Sequence, residues 1–190
     1  MIIAVVALVL VAGIGLFVWL TYNRLVRLRL GAANSWAQID VALKLRHDLV
    51  PSLVQTVSGY ASHERDTFER TALARGSAIG AVGAGPARQG PLEGALALGI
   101  GALIGLAEAY PELKASDNFA ALQRDLAAVE EKIAITRRVY NDTVERLNTA
   151  VAVFPSSLVA RAFGFGPRDF FTTGAEAAVA PTVDLSPAPR

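Results

Sequence analysis

The chain has no cysteine. That excludes a disulfide scaffold, a thiolate zinc site, an iron–sulfur cluster and a thiol nucleophile together. Charge is also sparse, at 18% of residues with a formal net charge of +1. Such a balance argues against a basic nucleic-acid binder and against an acidic solvating tail. The 16 glycines and 9 prolines are too few for a collagenous or wholly disordered chain of 190 residues. What the chain has in excess is apolar side chains, at 53%.

Much of that excess is at the start. Residues 1–23 carry no charged side chain, and residues 2–20 are apolar apart from Gly13 and Gly15. Nineteen helical residues span roughly 30 Å, about one hydrocarbon core. A cleavable signal peptide would open on Lys or Arg and close on small residues; this stretch does neither. Residues 1–22 therefore read as a retained, single-pass transmembrane helix, with Trp19 and Tyr22 suited to the membrane–water interface. Arg24, Arg27 and Arg29 follow it, then Lys44 and Arg46, and Asp40 is the sole acid before Arg46. The positive-inside rule places the N-terminus outside and the rest in the cytoplasm. The same basic stripe can touch membrane lipids, at about 1 kcal/mol per basic group near an anionic surface.

The remainder reads as all-α, because helical spacing dominates and no stretch alternates as a strand would. Leu25, Ala32, Trp36, Ile39, Leu43, Val50, Leu53, Val57 and Tyr60 form one stripe, so the anchor is expected to continue into a long helix. Pro51 should kink or break it near residues 47–51, with helix resuming to about Arg75. Nine of the residues in 76–105 are glycine, and residues 76–91 read as a flexible connection. A helix is expected over 92–110. Its uncharged core, residues 94–107, is too short for a second span. After Pro111, residues Phe119, Leu126, Ile133, Tyr140, Leu147 and Phe154 recur every seventh position, a heptad seam ended by Pro155. Two long helices with apolar seams imply an elongated antiparallel bundle over residues 23–171. The Phe-rich stretch 154–171 would cap the bundle or dock on the membrane. From Thr172 to Arg190 the small-residue, Pro-rich chain reads as a disordered tail.

Chemistry is thin. His47 and His63 are each followed by an acid, Asp48 and Glu64. Neighbours on a helix point about 100° apart, so neither pair chelates one ion well. Ser62, His63 and Glu64 have the side-chain types of a triad without its geometry. Tyr60, His63 and Glu64 read best as a helix-to-helix contact. No catalytic, cofactor or metal residue is assigned.

The stretches YNRLVRLR (22–29), SWAQIDVALKLRHDLVPSLVQTVSGYASHE (35–64), AEAYPELKASDNFAALQRDLAAVEEKIAITRRVYNDTVERLN (107–148) and FPSSLVARAFGFGPRDFF (154–171) resemble the LemA family of bacterial membrane proteins. The resemblance implies one N-terminal transmembrane helix and a long helical bundle. It brings no established catalytic activity and hence no active-site residues. The Gly-rich stretch 76–90 departs from the family's more polar helical connection, and the tail after Thr172 lies outside the shared pattern. The resulting expectation is a non-enzymatic membrane scaffold or adaptor that needs no cofactor and meets lipids, an unidentified protein partner or further copies of itself, but no nucleic acid. The alternatives are an enzyme subunit using His47, Asp48, His63 and Glu64, and a lipid-binding or membrane-organising protein.

Overall fold

A computed structural model describes residues 1–174. Every regular element among the described residues is helical: α1 Ile2–Ser58, α2 Arg65–Gly80, α3 Pro86–Leu106, α4 Pro111–Lys114, α5 Asp117–Ala152 and α6 Ser156–Ala162. The described chain falls into two units, which α1 and α5 both enter. One is Met1–Arg46 with Asp125–Phe170; the other is His47–Arg124 with the described residues from Phe171 on.

In the first unit, α1 and α5 run antiparallel. Gly31 lies against the Thr143 methyl, the Trp36 ring sits 5.3 Å from that of Tyr140, and Arg46 meets Glu130. Each step along α1 is thus matched by a near-equal step back along α5. The buried stripe of α1 is Leu25, Ala32, Ser35, Ile39, Ala42 and Leu43; that of α5 is Leu126, Ile133, Tyr140, Val144, Leu147 and Ala150. These spacings of three, four and seven are those of helices packed along a seam. In α5 the seam drifts: Val144 is fully buried, whereas Thr143 is only half-buried. A straight helix turns about 20° per heptad relative to a strict seven-residue repeat, which moves the next neighbour inward. Phe154 departs from the expected seam for a different reason: α5 ends at Ala152, and Phe154, beyond it, is 75% exposed. Val159 and Ala160 of α6 close the end of the unit against Leu25 and Ala150, with Val18 and Phe165 packed alongside.

The second unit is built around α2 and α3, packed against one another. They approach closely where Gly99 faces Thr71; a side chain at Gly99 would come within 2.9 Å of the Thr71 hydroxyl. Val50, Leu53 and Val57 of α1, Leu96, Ile100 and Leu103 of α3, and Leu113 and Phe119 complete the core.

Three expectations change here. Of the kink or break expected at Pro51, the break is absent: the helix runs to Ser58, and the interruption falls at residues 59–64, leaving Tyr60 outside α1. The connection over 76–91 is not open coil. Its ends are the last turn of α2 and the first turns of α3, separated only by residues 81–85. The third concerns α3, whose 21 residues make it long and apolar enough to cross a bilayer by composition, so shortness no longer excludes a second span. It nevertheless buries Gln89 and Glu93 within the unit. Of the tail expected from Thr172, only Thr172, Thr173 and Gly174 fall among the described residues. Phe171 before them is fully buried, and the Thr172 and Thr173 carbonyls lie directly over Gly90 and Gly94 of α3.

Candidate functional site

Within the second unit, α1 and α3 bring together a buried polar cluster. Pro51 has no backbone N–H, so the carbonyl four residues earlier, that of His47, loses its usual helical donor. Arg75 of α2 supplies a replacement, its Nε donating to the His47 carbonyl at 2.8 Å. This bond explains how the helix tolerates an internal proline, because a buried carbonyl without a donor is costly. The His47 ring itself makes a 2.9 Å hydrogen bond from Nε2 to Glu93 Oε1, with the two side chains 5% and 0% exposed. Gln89 Nε2, one turn before Glu93, reaches the same oxygen at 3.5 Å. Gln89 Oε1 is buried and has no hydrogen-bond partner among the described residues.

The structure therefore joins His47 to Glu93, not to Asp48 or His63. Asp48 is exposed, as is His63, which sits in the connection between α1 and α2. Tyr60, the third member of the expected contact with His63 and Glu64, lines a depression with Gly59, Tyr110, Pro111 and Glu112 instead. No group of three or more His, Asp or Glu side chains among the described residues could hold a metal ion. At 0% exposure the Glu93 side chain is enclosed within the unit. Its chemistry is that of a positioned internal hydrogen-bond partner.

The first unit holds a different arrangement. Arg46, 2% exposed, is paired with Glu130 at 3.1 Å, and Glu130 remains 43% exposed. Asn148 clamps the loop after α6 in both directions. Its Nδ2 donates to the Arg168 carbonyl at 2.9 Å, and its Oδ1 accepts from the Arg168 amide at 2.8 Å. The Tyr140 hydroxyl donates to the Asp169 carbonyl at 2.8 Å. Burial raises the Tyr140 hydroxyl above its ordinary 10.0, with Arg168 opposing and Asp169 adding to the effect. The clamped loop lies at the membrane end of the unit, because Tyr22 meets Phe163 and Phe165 edge-on at 5.0 and 5.6 Å.

Of the residues expected at the interface, Trp19 is 62% exposed and Arg24, Arg27 and Arg29 are exposed beside it. Of the seam residues, Phe119, Leu126, Ile133, Tyr140 and Leu147 are buried. Sequence reasoning missed Gln89, Glu93 and Arg75 as one polar cluster, and placed Arg46 in the basic stripe, where the structure has it buried against Glu130. A signal for one of them was present: an in-helix proline orphans a carbonyl, and some donor must find it. Glu93, the sole acid between Glu69 and Glu108, was another visible oddity.

The LemA family matches residues 35–185. Among curated proteins, the magnetosome protein MamQ of Magnetospirillum gryphiswaldense is 26% identical over 175 residues, covering 79% of this chain and 64% of its own length. The magnetosome proteins MamQ 1 and MamQ 2 of Paramagnetospirillum magneticum are each 22% identical with the same coverage. The chain thus spans 64% of the length of the curated relatives it matches.

Proposed function

This chain belongs to the LemA family, and on that premise we propose that it is a non-enzymatic, membrane-anchored helical scaffold whose helical units face the cytoplasm and engage other proteins or further copies of the chain. The observation that carries this reading is the continuity of α1. One helix leads from the apolar stretch at its start, through the seam shared with α5, to Ser58. A membrane anchor joined without a linker to a packed helix fixes the attached unit close to the bilayer, as a positioning module requires. The enclosure of His47 and Glu93 supports the non-enzymatic part, since a catalytic residue must touch its substrate. The Arg24, Arg27 and Arg29 stripe supports the cytoplasmic side. The magnetosome designation belongs to the relatives.

A proximity-labelling enzyme fused to the C-terminus of the full chain tests both parts in living cells. The expected result is a reproducible set of labelled cytoplasmic or inner-face proteins. Labelling confined to the opposite side would overturn the orientation. A neighbour profile identical to that of an unrelated anchored protein would overturn the scaffold.

A further inference from the structure

The membrane end of the first unit carries large apolar side chains that its own core does not use. Phe154 is 75% exposed, Leu158 58% and Phe163 53%. In a unit surrounded by water such a patch would be a liability. Its position says what covers it. Val18, inside the apolar stretch of α1, packs against the cluster of Leu25, Ala150, Val159 and Ala160, so α6 lies beside the last turn of the anchor. Tyr22, at the end of that stretch, holds Phe163 and Phe165 by edge-on ring contacts. The antiparallel register carries α5 to its end at Ala152 about level with Asn23. The exposed residues of α6 and its flanks are therefore continuous with the lipid-facing surface of the anchor.

Charge at this end points the same way. Arg29 and Arg168 line a depression of about 200 Å³ with Leu147 and residues 164–167. The Arg168 backbone is fixed there by Asn148. Arg161 is exposed on α6, between Leu158 and Phe163. Among the described residues, neither Arg29, Arg161 nor Arg168 forms an ion pair. Exposed apolar side chains with guanidinium groups nearby match the layered chemistry of a bilayer surface, where acyl chains lie beneath phosphates.

We propose that Phe154, Leu158 and Phe163 insert into the interfacial layer of the bilayer while Arg29, Arg161 and Arg168 bind the phosphates of anionic phospholipid, making α6 a second, lipid-selective membrane contact beside the anchor. The proposal rests on the anchoring part of the reading above and adds a lipid site to it.

The natural absence of cysteine makes the test clean. Full-length single-cysteine variants Leu158→Cys, Leu10→Cys and Ala134→Cys are spin-labelled and reconstituted in phosphatidylcholine vesicles containing phosphatidylglycerol. Accessibility to oxygen is compared with accessibility to a water-soluble nickel chelate. Ala134 is exposed on α5, eighteen residues (about 27 Å) before its end, and reports the aqueous reference. The expected ratio of oxygen to nickel accessibility is several-fold higher at position 158 than at 134. A ratio at 158 equal to that at 134, with position 10 immersed, overturns the proposal and leaves the anchor standing. If position 10 is itself aqueous, the anchoring reading fails with it. Protection of position 158 from both reagents would mean that a protein covers the face, and also overturns the proposal. In parallel, spin-labelled phosphatidylglycerol should associate with the wild-type chain several-fold more than spin-labelled phosphatidylcholine. The double variant Arg29→Gln/Arg168→Gln should abolish that preference. Equal association of the two lipids with the wild type removes the phosphate site.

Discussion

In the first unit, burial recurs along two long helices at intervals of three, four and seven residues, and its buried charge, Arg46, leans on a half-open partner. In the second unit the helices are shorter and glycine-rich, and His47, Gln89 and Glu93 occupy the interior. The first unit is specified by many small repeated contributions, so no single position decides it. The second is specified by a few directional bonds, and its backbone segments touch where side chains are missing. The comparison teaches where each unit is vulnerable: the seam to accumulated loss, the polar interior to one substitution.

The largest expected effect tests that contrast at its sharpest point. His47→Ala removes one hydrogen-bond partner from the Glu93 side chain at 0% exposure, and should cost about 3 kcal/mol, as breaking a buried hydrogen-bonded pair does. Denaturant unfolding of the full chain in detergent micelles measures it. His47→Gln, which restores a donor, should recover part of the loss. A cost under about 1 kcal/mol for the alanine variant would break the comparison, because the polar interior would then specify nothing. Next in size is Gly90→Ala. Its new methyl would run into the Thr172 carbonyl, for an expected loss of about 1–3 kcal/mol from overpacking against backbone. Limited proteolysis should cut after Phe171 faster in this variant than in wild type.

Smaller effects belong to the first unit. Tyr140→Phe deletes the hydrogen bond to the Asp169 carbonyl and should cost about 1 kcal/mol. Because burial raises the Tyr140 hydroxyl in the folded state, its contribution is complete below pH 10.0 and is lost as pH rises through the folded value. The alkaline limb of the stability curve should therefore flatten in Tyr140→Phe. Smallest is Arg46→Met, which keeps the apolar stem and leaves Glu130 free to hydrate, since it is already 43% exposed. About 1 kcal/mol or less is expected, since an apolar substitute for a buried ion often breaks even. A larger loss would erase the distinction between the two units' buried charges.

How far each unit was legible follows from the same contrast. The anchor, α1 and the α5 seam could be read because periodicity is a property of one segment at a time. Phe119, Leu126, Ile133, Tyr140 and Leu147 needed no knowledge of a partner. Residues 76–91 were misread because glycine weakens a helix locally, while Gly99 shows what local propensity omits: two helices can approach closely only where a side chain is absent. The polar cluster was hidden for a related reason. His47 and Glu93 are 46 residues apart, and no spacing rule links them.

Pro51 has one more consequence. A gap in the ladder of amide bonds turned the oxygen of His47 into an address that one guanidinium answers. Were the imino acid replaced by alanine, the helix would reclaim that oxygen for itself and the address would be erased. The imperfection in α1 thus serves as a key, telling α2 where along a 57-residue helix to settle.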